Sequence, residues 1–471
     1  MRLVAEHALL PDGWASNVHI EISDGVVNSV TPGTDSLFRA TKSSRGEFNE
    51  RNKESVPGYV VPGMGNVHSH AFQRAMAGFT EARTRDDDSF WTWRELMYRF
   101  AARITPEQMQ DVAAWLYVEM LKAGFTAVGE FHYLHHGAGG RPYADRAEMS
   151  HRVIAAADEA GIAIAHLPVL YAFGGFGARP PTEGQARFVN DAEGYAALVA
   201  GLQARYAKAA NVRIGAALHS LRAVDPALLR TTLNALARID ATAPIHIHIA
   251  EQQKEVQDCI AWSGQRPVAW LLDHAAVDAR WCLVHATHLD EHEVSRLAAS
   301  GAVAGLCPTT EANLGDGIFP ADTYLGGANP GRFAIGSDSH VSVSVAEELR
   351  MLEYGQRLAR NRRATLATEG QPSPGARIFA DAAAGGAQAL GMNAGRIAPG
   401  CRADLVVLDP EHPALWNKTA AQALDAWIFT GDRGCVRDVM VGGEWRVRDR
   451  AHPREDELAR RFRAAQAALI R

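Results

Sequence analysis

Val60-Val61-Pro62-Gly63-Met64-Gly65-Asn66-Val67-His68-Ser69-His70 is an apolar run that closes on two histidines one residue apart. It reads as a buried strand over 60–68, and residues two apart on an extended strand face the same way. His68 and His70 therefore leave the strand together, close enough to share one metal ion. Such a pair also occurs as ordinary hydrogen-bonded residues, so its meaning depends on what the rest of the chain sets beside it.

From about residue 60 to 365 the same alternation recurs, a short β-rich apolar run following each helical stretch. Strands are expected near 60–68, 124–131, 161–170, 211–218, 244–250, 281–287, 302–307 and 333–337. Amphipathic stretches fall at 107–123, 147–160, 192–209, 226–239, 267–277 and 290–300. Eight runs alternating with helices predict an α/β fold, a (β/α)8 TIM-like barrel over 59–390.

The flanks have a different period. Residues 2–30 alternate apolar and polar around turns at Pro11-Asp12-Gly13 and Ser23-Asp24-Gly25, and 405–408 with 436–447 supply further strands. The two ends, 1–58 and 391–471, are expected to build one small composite β-sandwich, the C-terminal part adding a terminal helix. Segment 31–56 is polar, charged and poor in aromatics, and reads as an exposed excursion with no chemistry assigned to it.

Composition excludes several classes of function. With 47% hydrophobic and 22% charged residues over 471 positions, the chain can build one large enzyme domain and a smaller one. Net charge is -6 with no long Lys/Arg run, and the Arg-rich C-terminal end alternates with Glu and Ala, so nucleic acid is not an expected partner. Met1-Arg2-Leu3-Val4-Ala5-Glu6-His7 lacks the apolar core of a signal peptide and no segment approaches a membrane span. A soluble cytoplasmic protein is the expectation. Cys259, Cys282, Cys307, Cys401 and Cys435 are odd in number, scattered and free of Cys-x-x-Cys pairs, hence reduced structural thiols.

In a parallel barrel the chemistry sits where strands end. The polar residues closing the other runs are of one kind. Pro244-Ile245-His246-Ile247-His248-Ile249-Ala250-Glu251 ends in His248 and Glu251, Cys282-Leu283-Val284-His285 in His285, and Ala334-Ile335-Gly336-Ser337-Asp338 in Asp338. Three imidazoles and one carboxylate make a four-ligand site for a divalent metal with room for water, which suits catalytic zinc. The ligands are read as His68, His70, His248 and Asp338. His246 competes for the strand-five position, being on the same side of the strand, but His248 is nearer the strand end and Glu251. The metal would lower the pKa of its water, Glu251 would pass a proton to a leaving nitrogen, and His285 would stabilise the tetrahedral centre.

Two arginines define the rest of the expected site. Arg222, in His219-Ser220-Leu221-Arg222, lies just past strand four, and Arg94, in Phe90-Trp91-Thr92-Trp93-Arg94, lies in the long segment after strand one. The planar guanidinium suits carboxylate recognition, so the pair could hold two carboxylates, with a surface ion pair as the alternative for each.

Pro62-Gly63-x-x-Asn66-x-His68-x-His70, His248-x-x-Glu251, His285, Ser337-Asp338 and the tail Gly395-Arg396-Ile397-Ala398-Pro399-Gly400-Cys401-Arg402-Ala403-Asp404-Leu405-Val406-Val407-Leu408-Asp409 together resemble the amidohydrolase superfamily over nearly the whole chain. The resemblance implies a metal-bearing barrel beside a composite β-sandwich, of the mononuclear deaminase branch. Strand four closes with Leu218-His219-Ser220 and lacks the bridging Lys of dinuclear members, so one metal is expected. Within the superfamily the chain resembles the formimidoylglutamate deiminases of histidine degradation. That resemblance implies substrate-binding roles for Gln73, Arg94, Tyr133, His219 and Arg222, and a homodimer. It also implies hydrolysis of N-formimino-L-glutamate to N-formyl-L-glutamate and ammonia, with Asp338 and Glu251 managing protons. His132, His135 and His136 are read as solvated loop histidines. The alternatives are a deaminase of a purine or pyrimidine ring, cleavage of the other amidine bond to formamide and glutamate, and an inactive binding scaffold. Iron, manganese and cobalt stay open beside zinc.

Overall fold

The structure, a computed structural model, describes residues 1–33, 53–82 and 90–470. An N-terminal meander, β1 (Arg2–Leu10), β2 (Gly13–Ser23) and β3 (Val26–Pro32), is followed by β4 (Lys53–Pro62) and β5 (Met64–Ser69). Next come α1 (Phe90–Arg103), α2 (Pro106–Lys122), β6 (Phe125–His132), α3 (Glu148–Ala160), β7 (Ala163–Leu170) and α4 (Ala192–Tyr206). β8 (Val212–Ile214), β9 (Ala216–Ser220), α5 (Pro226–Ile239), β10 (Ile245–Ile249), α6 (Gln253–Ser263) and α7 (Pro267–His274) follow. β11 (Trp281–His285), α8 (Glu291–Ser300), β12 (Val303–Leu306), α9 (Pro308–Leu314), α10 (Ala321–Gly326) and β13 (Arg332–Ile335) continue the alternation. The chain finishes with α11 (Val345–Arg360), α12 (Pro374–Ala389), β14 (Leu405–Leu408), α13 (Ala420–Thr430), β15 (Val436–Val441), β16 (Glu444–Val447) and α14 (Glu455–Ile470).

Eight parallel strands run in the order β5-β6-β7-β9-β10-β11-β12-β13, with β8 paired to β7. The ends of this path meet at a parallel bridge between Ser69 and Asp338, which closes the barrel. The helices start where their sequences say they should. Asp225 accepts from the Leu228 amide with Pro226 in the first turn, and Thr105 and Asp290 each head a capping box.

Two expected strands are each interrupted at a glycine. The 60–68 run is two strands: β4 belongs to the terminal sheet and β5 to the barrel, with Gly63 between them. A Cβ on Gly63 would stand 2.2 Å from Thr126 Oγ1, and its amide donates to Asp404 O at 2.9 Å, so backbone approach forces the break there. The 211–218 run splits at Gly215, where a Cβ would meet Leu167 at 2.5 Å.

The terminal strands form one hydrogen-bonded sheet of seven, β16-β15-β14-β4-β1-β2-β3. It curls round a core of its own, in which Leu3, Ile20 and Val27 meet Leu405, Val407 and Met440, so the two layers expected of a sandwich are halves of one sheet. Alternation assigns the faces: Val60 and Val407 enter this small core, while Val61, Val406 and Leu408 enter the large core shared with the barrel. The reading of 31–56 as an excursion is corrected at its edges, because 31–32 belong to β3 and 53–56 to β4; residues 34–52 lie outside the described residues. The terminal helix is placed differently too. α14 packs on the barrel helix α2, with Arg461 paired to Asp111 and Glu159 at 2.7 Å each and Phe462 against Trp115. Among the described residues no helix is long and apolar enough to cross a membrane. All five cysteines are buried and free.

The histidines expected in solvated loops are instead packed inside. His132 ends β6 and is buried, His135 is buried with Nε2 2.8 Å from Val169 O, and His136 is half-buried with Nε2 2.8 Å from Val189 O. His132 lies 5.2 Å, ring to ring, from His166, whose two nitrogens find no partner among the described residues. Burial pushes His166 down to about 3 and His135 to about 4. Their folded pKa values lie below the ordinary value of 6.5, so the unfolded chain takes up protons first as pH falls. Their contribution is fully present above about pH 6.5 and is lost towards pH 4, at about 2.7 kcal/mol per pH unit for the two together. Urea midpoints measured from pH 7 to 4.5 should fall, and His166→Gln should lessen that fall by about 1.4 kcal/mol per pH unit; a fall identical to the parent's would refute the assignment.

Candidate metal-binding active site

Three strand ends bring the four expected donors together. His68 and His70 come from the end of β5, His248 from β10 and Asp338 from the turn after β13, and all four are buried. His68 Nε2 is 3.0 Å from His248 Nε2 and 3.4 Å from Asp338 Oδ1, and His70 Nε2 is 3.4 Å from the same oxygen. Donors about 2.0–2.2 Å from a tetrahedral zinc stand roughly 3.3–3.6 Å apart, so His68, His70 and Asp338 fit one such ion, and His248 joins them through His68. Two rings have their other nitrogen fixed by a carbonyl, His70 Nδ1 at 2.9 Å from Phe131 O and His248 Nδ1 at 3.0 Å from His219 O. A proton held on Nδ1 leaves the Nε2 lone pair facing the cluster. His246 is one layer deeper in the barrel, with Nε2 2.8 Å from Ala389 O, and does not join the group.

The electrostatics suit a cation. Burial pushes His68 down to about 3 and lowers His70 and His248, so the three rings are neutral donors. Burial alone would raise Asp338, but the hydrogen bond to His68 and the neighbouring charged His285 carry it well below the usual carboxylate range.

Beside the donors stand Glu251 and His285. Glu251 is buried past the end of β10, with its amide donating to Glu255 Oε2 at 3.2 Å. Burial raises its carboxyl to about 6 against the opposing pull of His285 and Arg222. His285 has a left-handed backbone, φ 68°, and its Nε2 lies 3.9 Å from Glu251 Oε1 and 3.8 Å from Asp338 Oδ2. Burial lowers this ring, yet the Glu251 carboxylate and a hydrogen bond to Glu311 outweigh it and raise the ring to about 10.

The residues expected to bind substrate line the same cavity, about 60 Å³, that contains His70, His248, Glu251, His285 and Asp338. Gln73 Nε2 donates to Tyr133 OH at 3.0 Å, and the Tyr133 ring packs 4.9 Å from His70. His219 lies 5.1 Å from His248, ring to ring, and Arg222 Nε donates to Ser220 Oγ at 3.3 Å. Arg94 enters from α1, its guanidinium 5.4 Å from the Tyr98 ring. Arg187 ties that helix down by donating to Ala101 O, to Ile104 O at 3.0 Å and to His136 O at 2.7 Å.

Several wall residues were not foreseen. Tyr98, Tyr171 and Phe188 line the cavity, and Gln185 Nε2 joins two of them, 2.6 Å from Tyr171 OH and 3.3 Å from Tyr98 OH. Tyr98 and Phe188 come from stretches without strand-end signals, whereas Tyr171 directly follows the 161–170 strand run, to which the sequence reading gave no site residue. Glu311 had such a signal too: it opens α9 just past β12, the seventh strand run, which was likewise given no site residue. Its Oε1 accepts from His285 Nδ1 at 3.2 Å and from the Cys307 amide at 2.9 Å.

Comparison with known proteins agrees with this geometry. Residues 59–446 match the amidohydrolase family, and residues 1–36 match the N-terminal domain of formimidoylglutamate deiminase HutF. A formimidoylglutamate deiminase from Pseudomonas aeruginosa is 54% identical over 98% of this chain and 97% of its own. A 5-methylthioadenosine/S-adenosylhomocysteine deaminase from Natronomonas pharaonis is 32% identical over 83% of this chain and 82% of its own. Among solved structures, an amidohydrolase from Brucella melitensis superposes with a TM-score of 0.90 at 47% identity, covering 100% of both chains.

The positions of His246 and His248 separate two variants. His248→Ala should lose stoichiometric zinc on purification and dialysis, whereas His246→Ala should retain it, as read by elemental analysis. Metal loss from His246→Ala alone would reverse the ligand assignment.

Proposed function

The chain belongs to the amidohydrolase family, and from that premise we propose that it hydrolyses N-formimino-L-glutamate to N-formyl-L-glutamate and ammonia, a step of histidine degradation. The observation that carries the reading is one buried cavity lined by both metal donors and two guanidinium groups, those of Arg94 and Arg222. A flat heterocycle needs no such pair of cations, whereas a substrate with two carboxylates does.

His68, His70, His248 and Asp338 would hold one divalent cation, zinc on this reading. Bound there, it supplies Lewis acidity towards water and substrate at neutral pH. Arg94 and Arg222 each take one substrate carboxylate, and Gln73, Tyr133 and His219 orient the amidine. Water oxygen adds to the formimino carbon, and Glu251, with Asp338 at the same centre, takes the proton that the water gives up. A carboxyl raised to about 6 exchanges protons readily near neutrality, which fits Glu251 to protonate the terminal nitrogen as its bond to carbon breaks. His285 Nε2 donates to the tetrahedral centre while Glu311 holds the opposite side of the ring. Ammonia leaves, and the carbon stays on the glutamate nitrogen as a formyl group. The enzyme is, on the same reading, a cytoplasmic homodimer.

Purified protein given N-formimino-L-glutamate should release ammonia and show formylglutamate by NMR. Glutamate and formamide would overturn the bond assignment, and turnover of a purine ring in place of the linear amidine would overturn the substrate. Glu251→Gln should keep its metal and lose about 100- to 10,000-fold in kcat. Arg94→Ala or Arg222→Ala should raise KM about 10- to 100-fold, the loss of a charge-assisted hydrogen bond.

A further inference from the structure

We propose that Ser69, Ser337, His340 and Glu130 are positioning residues that fix the spacing of the metal donors by locking the seam where the barrel closes. The proposal rests on the donor set His68, His70, His248 and Asp338 read above. Elsewhere in the barrel, neighbouring strands share two to six register positions, but among the described residues β5 and β13 are joined by the single Ser69–Asp338 bridge. The backbone there contributes His70 N to Asp338 O at 3.2 Å and Asp338 N to His68 O at 3.0 Å. Three of the four donors flank this seam, so a slip between the two strands moves His68 and His70 against Asp338.

Buried side chains hold the seam in place of a ladder. Asn66 Nδ2 donates to Ser337 Oγ at 2.6 Å, and Ser337 Oγ lies 2.9 Å from His340 Nδ1. On the other edge of the ring, His340 Nε2 lies 3.2 Å from Ser69 Oγ, which donates to Glu130 Oε2 at 2.5 Å. Glu130 also accepts from Tyr117 OH at 3.1 Å and from the Ala71 amide at 2.7 Å. Asn66, Ser69, Ser337 and His340 are 0% exposed, so no member can turn to bulk water instead.

The donors fix one direction along this chain. Because the Asn66 amide donates to Ser337, the Ser337 hydroxyl proton is free for His340 Nδ1. The neutral ring then carries its proton on Nε2, donates to Ser69, and leaves the Ser69 proton for Glu130. Each hydroxyl both accepts and donates, and removing either one leaves a buried ring nitrogen of His340 without its partner and weakens the bond across the ring. Asp338 and His340 sit at φ 45° and 62°, left-handed backbone that a side chain tolerates only when its surroundings hold it there. Arg74 supplies a further hold, donating to His340 O at 2.8 Å while paired with Glu119. Ser69 separates His68 from His70 and Ser337 precedes Asp338, so the relay acts on the donors through one peptide unit.

The test is zinc affinity by chelator competition, measured without substrate on Ser69→Ala, Ser337→Ala and the double variant, followed by kcat and KM at saturating zinc. Each single variant should bind zinc about 10- to 100-fold more weakly. The double variant should lose less than the product of the two, since one break already opens the relay. With zinc saturating, KM should stay within about twofold of the parent. Zinc affinity within threefold of the parent in both single variants overturns the proposal, and so does a double variant whose loss equals the full product. Should one variant fail to fold, the other still reports. A parent protein that binds zinc but leaves formiminoglutamate untouched would refute the substrate reading and leave this measurement standing.

Discussion

Three imidazoles and a carboxylate are buried together, His68 standing 3.0 Å from His248 and 3.4 Å from Asp338, which is 3.4 Å from His70, and the rest of the molecule is arranged around keeping them so. Donor atoms gathered this closely in a water-poor interior are costly unless a cation shares them. A single helix or hairpin cannot converge four such groups with the opposite side left open for substrate. Strand ends of a parallel barrel can, because each strand delivers its last side chain to the same rim. The clustered donors accordingly come from β5, β10 and the turn after β13, and the intervening sequence is free to build a wall.

Charge around the cluster is layered. Asp338 lies among the donors, Glu251 and His285 face the cavity beside it, and Glu311 lies behind His285. The carboxylates differ in what they touch. Glu311 is fixed by the Cys307 amide and His285, so its lone pairs are committed to holding a ring. Glu251 presents its carboxylate to the cavity, where burial raises it towards neutrality. One acid is therefore suited to hold geometry and the other to exchange protons, a division set by hydrogen-bond partners and not by residue type.

The sequence was most informative where function sits at the end of a strand. His68, His70, His248, Glu251, His285 and Asp338 were legible because strand alternation is local and the rim is shared. Choosing His248 over His246 needed only its distance from the strand end, and the carbonyl of Ala389, which takes His246, is 143 residues away. What was illegible depends on such long-range neighbours. The strand break at Gly63 comes from Thr126 and Asp404, and the burial of His132 and His135 from strands packed over them. The cavity aromatics Tyr98 and Tyr171 meet through Gln185, and the docking of α14 on α2 is decided by pairs such as Arg461 with Asp111. No periodicity in the chain encodes these meetings.

The terminal sheet has a place in this order as well. β4 lies between β1 and β14 in that sheet, one strand from each end of the chain, and after Gly63 the backbone turns directly into β5. The Gly63 amide is held by Asp404 O and the Met64 amide by Gly124 O, at 2.9 and 3.3 Å. β5 is only six residues long, and His68 is four positions from Met64. The strand pairs with β6 at four positions, with two irregularities in the register, and its far edge meets β13 at one bridge. Its register is therefore set by that ladder together with the terminal sheet below and the Ser69–Asp338 seam above. A sheet built from both ends of the chain, far from the chemistry, thus helps to determine how far His68 and His70 project towards their partners.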